Sequence, residues 1–238
     1  MFVSEFDRFA QGYLKNREIQ TEVAEKLLKM LPARHYRSVL DMGCGDGAVF
    51  KSGIIESDMF TACDLSPRMC ALHPITNGVY VINGDFDDPA TITEITTHSS
   101  KYDLLVSSSA LQWSKSLELF FERYSKISST FAVSIFTDKT FDSVNKFLEI
   151  KSFLPSTLQL KNILSKYKIS EFKSEIFTKS FESGADAVRF IKQTGVSGKR
   201  NEIGYKEGKR LYESGPNVLE FEVFYAVGSF SKNDFSTS

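Results

Sequence analysis

In a chain of 238 residues, the segment Asp41-Met42-Gly43-Cys44-Gly45-Asp46-Gly47 concentrates the residue types with most chemical use. Glycines 43 and 45 let a turn take positive φ and let its backbone approach a ligand with no Cβ in the way. A carboxylate, Asp41, precedes them; a second, Asp64, follows about 20 residues on, and a third, Asp85, stands before Phe86. A pyrophosphate against that turn would be repelled by Asp41, whereas a cationic group would be attracted. Asp64 is suited to accept from both hydroxyls of an adenosine ribose, and Asp85 from an adenine amino group with Phe86 covering the ring. A single aspartate at such a place caps a helix or forms a turn. Three in succession, each closing a candidate strand, describe a crevice for a cationic ligand. Gly43, Gly45 and Ala48 also meet the looser dinucleotide pattern, so the glycines alone leave a nicotinamide-dependent oxidoreductase open, and the acids decide against it.

The elements that must position these residues follow from periodicity. Ile19, Val23, Leu27 and Leu31 recur every four residues and predict a helix over 17–31, ended by Pro32. Short, nearly continuous apolar runs at 38–42, 59–65, 79–82, 102–107 and 130–136 predict strands buried on both faces, as in a parallel sheet covered by helices on each side. Helices are expected at 141–151 and 158–167, a strand at 173–181, helices at 185–194 and 206–213, and a closing strand at 219–227. The expectation is one α/β domain over residues 1–230, doubly wound and mostly parallel, with a frayed polar tail from 231 to 238.

Composition narrows the function classes. The chain is 42% hydrophobic and 25% charged with a formal net charge of −1, so it has no global drive toward nucleic acid or an anionic membrane. No apolar run reaches membrane-spanning length and the N-terminus lacks a signal-peptide order, which predicts a cytoplasmic protein. Cys44, Cys63 and Cys70 form no C-x-x-C pair, and with His35, His73 and His98 they give no metal-ligand spacing, so no metal site is expected. Cys44 reads as a small turn residue rather than a nucleophile.

With these residues in view, Asp41 to Gly47 resembles the first motif of class I S-adenosylmethionine-dependent methyltransferases, acid-x-glycine-x-glycine-x-glycine. A narrower resemblance, to the malonyl-acyl-carrier-protein O-methyltransferases of biotin synthesis, extends over nearly the whole chain. It rests on Phe6 to Tyr13, similar to an F-x-x-x-A-x-x-Y segment whose tyrosine helps close over the cofactor, on Asp103 to Trp113, similar to D-L-x-x-S-N-x-A-x-Q-W, and on the closing strand at 219–228. Ser108 departs from the asparagine of that pattern, and residues 127–130 stand where a proline-glycine-glycine turn is usual. The resemblance implies a Rossmann-like class I methyltransferase fold with a helical insertion at about 184–215 before an antiparallel last strand. It also implies S-adenosylmethionine held by Tyr13, Asp41, Gly43, Cys44, Gly45, Asp64, Leu65, Asp85, Phe86 and Ser107. The acceptor it implies is the free carboxylate of malonyl-acyl carrier protein, or malonyl-coenzyme A.

A carboxylate acceptor is ionised at neutral pH, with an ordinary pKa near ~4, so methyl transfer to it requires alignment in a dry site and no general base. Residues 107–113 contain no histidine or acid, in keeping with that chemistry. Gln112 and Trp113 are the positioning candidates, Gln112 to orient an oxygen and Trp113 to exclude water. Trp113 serves equally as a packing residue. Between Arg189 and Arg210 seven basic residues stand against two acidic ones, a wall suited to an acidic carrier protein. Lys199, Arg200, Lys206 and Arg210 are its docking candidates, and Arg189, if it faces inward, would meet the substrate carboxylate. The same charges also suit a solvated face. Methylation of a free small molecule, a carboxylic acid or a quinone, is the alternative that shares every cofactor residue. A binding module that lacks an acceptor site is a further one.

Overall fold

A computed structural model of the chain describes residues 17–194 and 205–232. Helix α1 (Glu18–Lys29) buries Val23 and Leu27 of the predicted stripe together with Ala24 and Leu28, while Ile19 is half-buried and Leu31 is buried just past the helix end. Strand β1 (His35–Met42) leads through the glycine turn into the short α2 (Ala48–Lys51), then β2 (Glu56–Asp64), α3 (Pro67–Cys70) and β3 (Val79–Asn83). Next come α4 (Pro89–His98), β4 (Tyr102–Ser108), a single 3-10 turn (Leu111–Trp113), α5 (Leu117–Tyr124) and β5 (Ser128–Phe136). The chain continues through α6 (Asp142–Leu148), α7 (Thr157–Leu164), β6 (Tyr167–Ser180), α8 (Gly184–Thr194), α9 (Tyr205–Ser214) and β7 (Val218–Lys232).

The seven strands form one sheet in the order β3-β2-β1-β4-β5-β7-β6. Every pair from β3 to β5 is parallel, and β7 runs antiparallel to both β5 and β6. Successive strand residues alternate between two cores, because side chains along a strand point to opposite faces. Val39 packs with Leu27, Leu104 and Val223 on the face that α1, α8 and α9 cover, while Leu40 packs with Leu105, Phe121 and Leu160 beneath α5 and α7. With both faces covered, the strands have to be apolar at nearly every position, which explains their continuous runs. β2 and β4 flank β1 on its two sides, so the order reverses there, and a crevice opens at the carboxyl ends where ligands bind in sheets of this kind.

Several elements differ from expectation, and β1 and β2 each begin three residues before the apolar runs that predict them. α6 stops at Leu148 because Glu149 takes a left-handed conformation (φ 57°). α7 ends at Leu164, and Tyr167 already belongs to β6. β6 begins six residues before the predicted start, since its amino-terminal half lies on the sheet edge, is largely exposed, and carries register shifts near Ile169 that break the alternation. β7 runs on to Lys232, into the segment expected as a tail. The excursion through α8 and α9 closes on itself, since Phe181 N–H donates to Asn217 O at 2.8 Å and a Cβ on Gly184 would meet the Gly215 carbonyl. Among the described residues, no helix is long and apolar enough to cross a membrane.

Candidate active site

β1 delivers Asp41 to its carboxyl end, and the chain then turns through Gly43 (φ 72°) and Gly45 (φ 56°). The N–H groups of Gly43 and Cys44 both donate to Cys63 O, at 2.8 and 3.1 Å, which fastens the turn to the end of β2. Ser107 Oγ donates to Met42 O at 2.6 Å and ties the end of β4 to the same point. The two glycines serve different ends. A Cβ on Gly43 would collide with the Ala110 side chain, whereas one on Gly45 would project into open space. Gly43 therefore allows close packing of two loops, and Gly45 leaves bare the side from which a ligand approaches.

Three acids meet this turn in different states. Asp41 is fully buried, and neither carboxylate oxygen has a hydrogen-bond partner. Burial pushes its carboxyl well above the usual range, and the charge of Asp64 adds to the shift. Asp64 is oriented by two backbone donors: Gly45 N–H reaches Oδ2 at 2.8 Å and Ser66 N–H reaches Oδ1 at 2.9 Å. Each oxygen keeps further acceptor capacity. Asp85 accepts from Asp87 N–H at 2.8 Å through Oδ1 and pairs with Lys115 Nζ at 3.1 Å through Oδ2. The half-buried Phe86 lies edge-on to Phe120, ring centroids 5.8 Å apart. Leu65, also half-buried, offers its carbonyl to Asn83 Nδ2 at 2.9 Å. Burial first, then Asp41 and Asp64, push the Cys44 thiol well up, so it stays protonated and is no nucleophile. Among the described residues, no group of three or more His, Cys, Asp or Glu is placed to hold a metal ion.

Across the crevice, Ser109 takes a left-handed conformation (φ 58°) and its N–H donates to Ser134 O at 2.9 Å. The following 3-10 turn presents Gln112 and Trp113. Gln112 Nε2 donates to Ser109 O at 2.6 Å, which fixes the amide so that Oε1, buried and unpartnered, is the acceptor it has left. Trp113 stacks at 5.8 Å on Phe153, whose side of the pair is 51% exposed. Asp138 N–H donates to Pro155 O at 3.0 Å and keeps that loop beside the carboxyl end of β5.

Of the basic residues expected to meet a carrier, Arg189, Lys206 and Arg210 fall within the described residues. Arg189 does not face inward: α8 buries Ala187, Val188, Phe190 and Ile191, so Arg189 lies on the opposite side, 59% exposed and paired with Asp186 at 3.0 Å. Arg210 is used internally, since it donates to Phe147 O at 2.7 Å and stands over the Phe147 ring at 4.7 Å. Lys206 is exposed. Tyr13, Lys199 and Arg200 lie outside the described residues. Sequence reasoning missed two residues. Asp46, inside the glycine turn, reads in sequence as a spacer; an acid between glycines in a segment that must be buried is the signal that would have found it. Phe153 carries no signal at all, because only the tertiary fold brings its loop to Trp113.

No family model matches the chain. It is 26% identical over 200 residues to the malonyl-[acyl-carrier protein] O-methyltransferase of Enterobacter lignolyticus (strain SCF1), covering 81% of this chain and 78% of that one. To the protein of the same name from Bacteroides thetaiotaomicron it is 27% identical over 206 residues, covering 81% and 76%. The fold is shared with a solved SAM-dependent methyltransferase of Thermotoga maritima, with a TM-score of 0.54 and 18% identity over 95% of this chain and 99% of that one. The chain has the class I methyltransferase fold. The crevice at the carboxyl ends of β1 and β4 is where sheets of this kind bind ligands, and the 3-10 turn follows β4 at the same edge. An orphaned buried carboxyl at Asp41 and an open face at Gly45 fit a donor with a cationic end.

Proposed function

We propose that this methyltransferase uses S-adenosylmethionine to methylate the free carboxylate of a malonyl group carried as a thioester on acyl carrier protein. The observation that carries the acceptor is the similarity, over four-fifths of the chain, to enzymes named for that reaction. The donor, when bound, supplies an electrophilic methyl group on a sulfonium. Asp41 offers its ammonium a carboxylate that has no other partner, and the ligand charge offsets the burial cost that raises the carboxyl pKa. Asp64, planted by Gly45 and Ser66 N–H, accepts from the ribose hydroxyls, and Phe86 flanks the adenine. On this reading Asp85 leaves Lys115 or shares its carboxylate with it, while Ser107 contributes backbone, its hydroxyl being held by Met42. Gln112 and Trp113 orient the acceptor and exclude water, and no side chain has to remove a proton from an already ionised carboxylate.

The test is methyl transfer assayed side by side on malonyl-carrier protein, malonyl-coenzyme A, and free carboxylic acids and quinones. Methyl-ester formation on the carrier-bound substrate, at a kcat/KM well above the others, is expected. A preference for a free acid or quinone would move the chain to small-molecule methylation. Complementation of a biotin-requiring strain that lacks this step checks the same reading in cells.

A further inference from the structure

Asp46 lies within the glycine turn, between Gly45 and Gly47, both at positive φ (56° and 90°). Its side chain is almost fully buried, yet it plays no part in the donor contacts described above. Its Oδ2 receives Lys51 Nζ at 2.7 Å and also the guanidinium of Arg17. Arg17 immediately precedes α1 and Lys51 closes α2, so one carboxylate joins the turn to the helices on either side of it. Burial alone would raise this carboxyl, but Arg17 and Lys51 outweigh it and hold the group below the ordinary aspartate range. Asp46 is therefore the opposite of Asp41, a buried acid with its charge satisfied inside the protein.

A turn with three glycines at positive φ has unusual backbone freedom to lose on ordering. Backbone donors fasten its first half, Gly43 and Cys44 N–H to Cys63 O and Gly45 N–H to Asp64 Oδ2, and Gly47 N–H closes the turn on Cys44 O at 3.0 Å. The Asp46 side chain adds the ties that reach outside the turn to the two flanking helices, through Arg17 and Lys51. We propose that Asp46 is a positioning residue for donor binding: through Arg17 and Lys51 it holds the turn in the shape that presents the open side of Gly45 and the Asp64 carboxylate to the ligand. The inference rests on the donor reading given above.

The test uses the full chain and two variants, Asp46→Asn, which keeps the shape and removes the charge, and Arg17→Gln. Binding of S-adenosylhomocysteine is measured by calorimetry well below either melting temperature. Asp46→Asn should weaken it about tenfold and raise the KM for S-adenosylmethionine similarly, ~1.4 kcal/mol, with kcat and the acceptor KM little changed. Arg17→Gln should give a smaller loss, Arg17→Lys should recover most of it, and the double variant should bind no worse than Asp46→Asn, because the two share one interaction. Amide hydrogen exchange over residues 43–47 reads the turn without ligand and should lose protection in Asp46→Asn. Unaltered binding and protection in a variant that merely melts lower would overturn the proposal. Wild-type protein that binds neither ligand would instead overturn the donor reading, and the exchange comparison would still decide the role of Asp46.

Discussion

A carboxyl group with no exposed surface and no hydrogen-bond partner is costly to a fold when ionised, and Asp41 is in that position. Burial and Asp64 raise its pKa in the folded protein, so the penalty is absent in acid, below the unfolded value near ~4, and grows as pH rises through the folded value. Asp41→Asn should therefore make the ligand-free protein more stable than wild type at neutral pH, with the difference vanishing in acid; melting curves across pH check this. Donor affinity should move the other way. It should fall in the variant, and in wild type it should fall as acidification protonates Asp41, which calorimetry at several pH values would read. Residue types and spacing singled out Asp41, Gly43, Gly45 and Asp64 in the sequence, and the fold gathers them at the turn after β1. Which acid is satisfied by the protein and which is left for a ligand was not legible, because Arg17 reaches Asp46 from 29 residues away.

At the scale of elements, the two loops that face each other across the crevice are the glycine turn and the 3-10 turn after β4. Gly43→Ala would force a side chain into Ala110 at a backbone conformation that L residues rarely adopt, a cost on the order of 1–3 kcal/mol. Ala110→Gly should recover the collision part of that loss and leave the backbone strain, a coupling that a double-mutant cycle on chemical denaturation would measure. On the proposed reading, Phe153→Ala should raise the acceptor KM several-fold while donor affinity stays near wild type, because its exposed ring packs on Trp113. Equal losses for both substrates would remove Phe153 from the acceptor side. The five parallel strands were legible because burial on both faces writes them as apolar runs. The first half of β6 was not, because Lys168, Glu171 and the exposed Phe172 sit on an edge where no alternation is enforced.

For the molecule as a whole, the question is where a carrier protein would dock. With Arg210 engaged by Phe147 and Arg189 paired with Asp186, a charge reversal at either would disturb packing or a local ion pair rather than report on docking. The informative variant reverses Lys199, Arg200 and Lys206 to glutamate. It should raise the KM for malonyl-carrier protein steeply at low salt and leave that for malonyl-coenzyme A far less affected, which steady-state kinetics on the two substrates would show. An unchanged KM would reject this face. The helical excursion was legible as periodic segments at 185–194 and 206–213, and the hydrogen bond between Phe181 and Asn217 lies at its stem. What charge density did not convey is that a guanidinium serves packing as readily as recognition.

A Cβ on Gly43 would meet the Ala110 side chain, so the glycine turn and the loop that leads into the 3-10 turn are packed closely together. The two loops are geared together, so a shift of the glycine turn as a donor enters must be transmitted to Gln112 and Trp113 within a few bonds. Binding order should then show up mechanically: saturation with S-adenosylhomocysteine would slow amide exchange at residues 109–113, on the wall that this ligand does not touch.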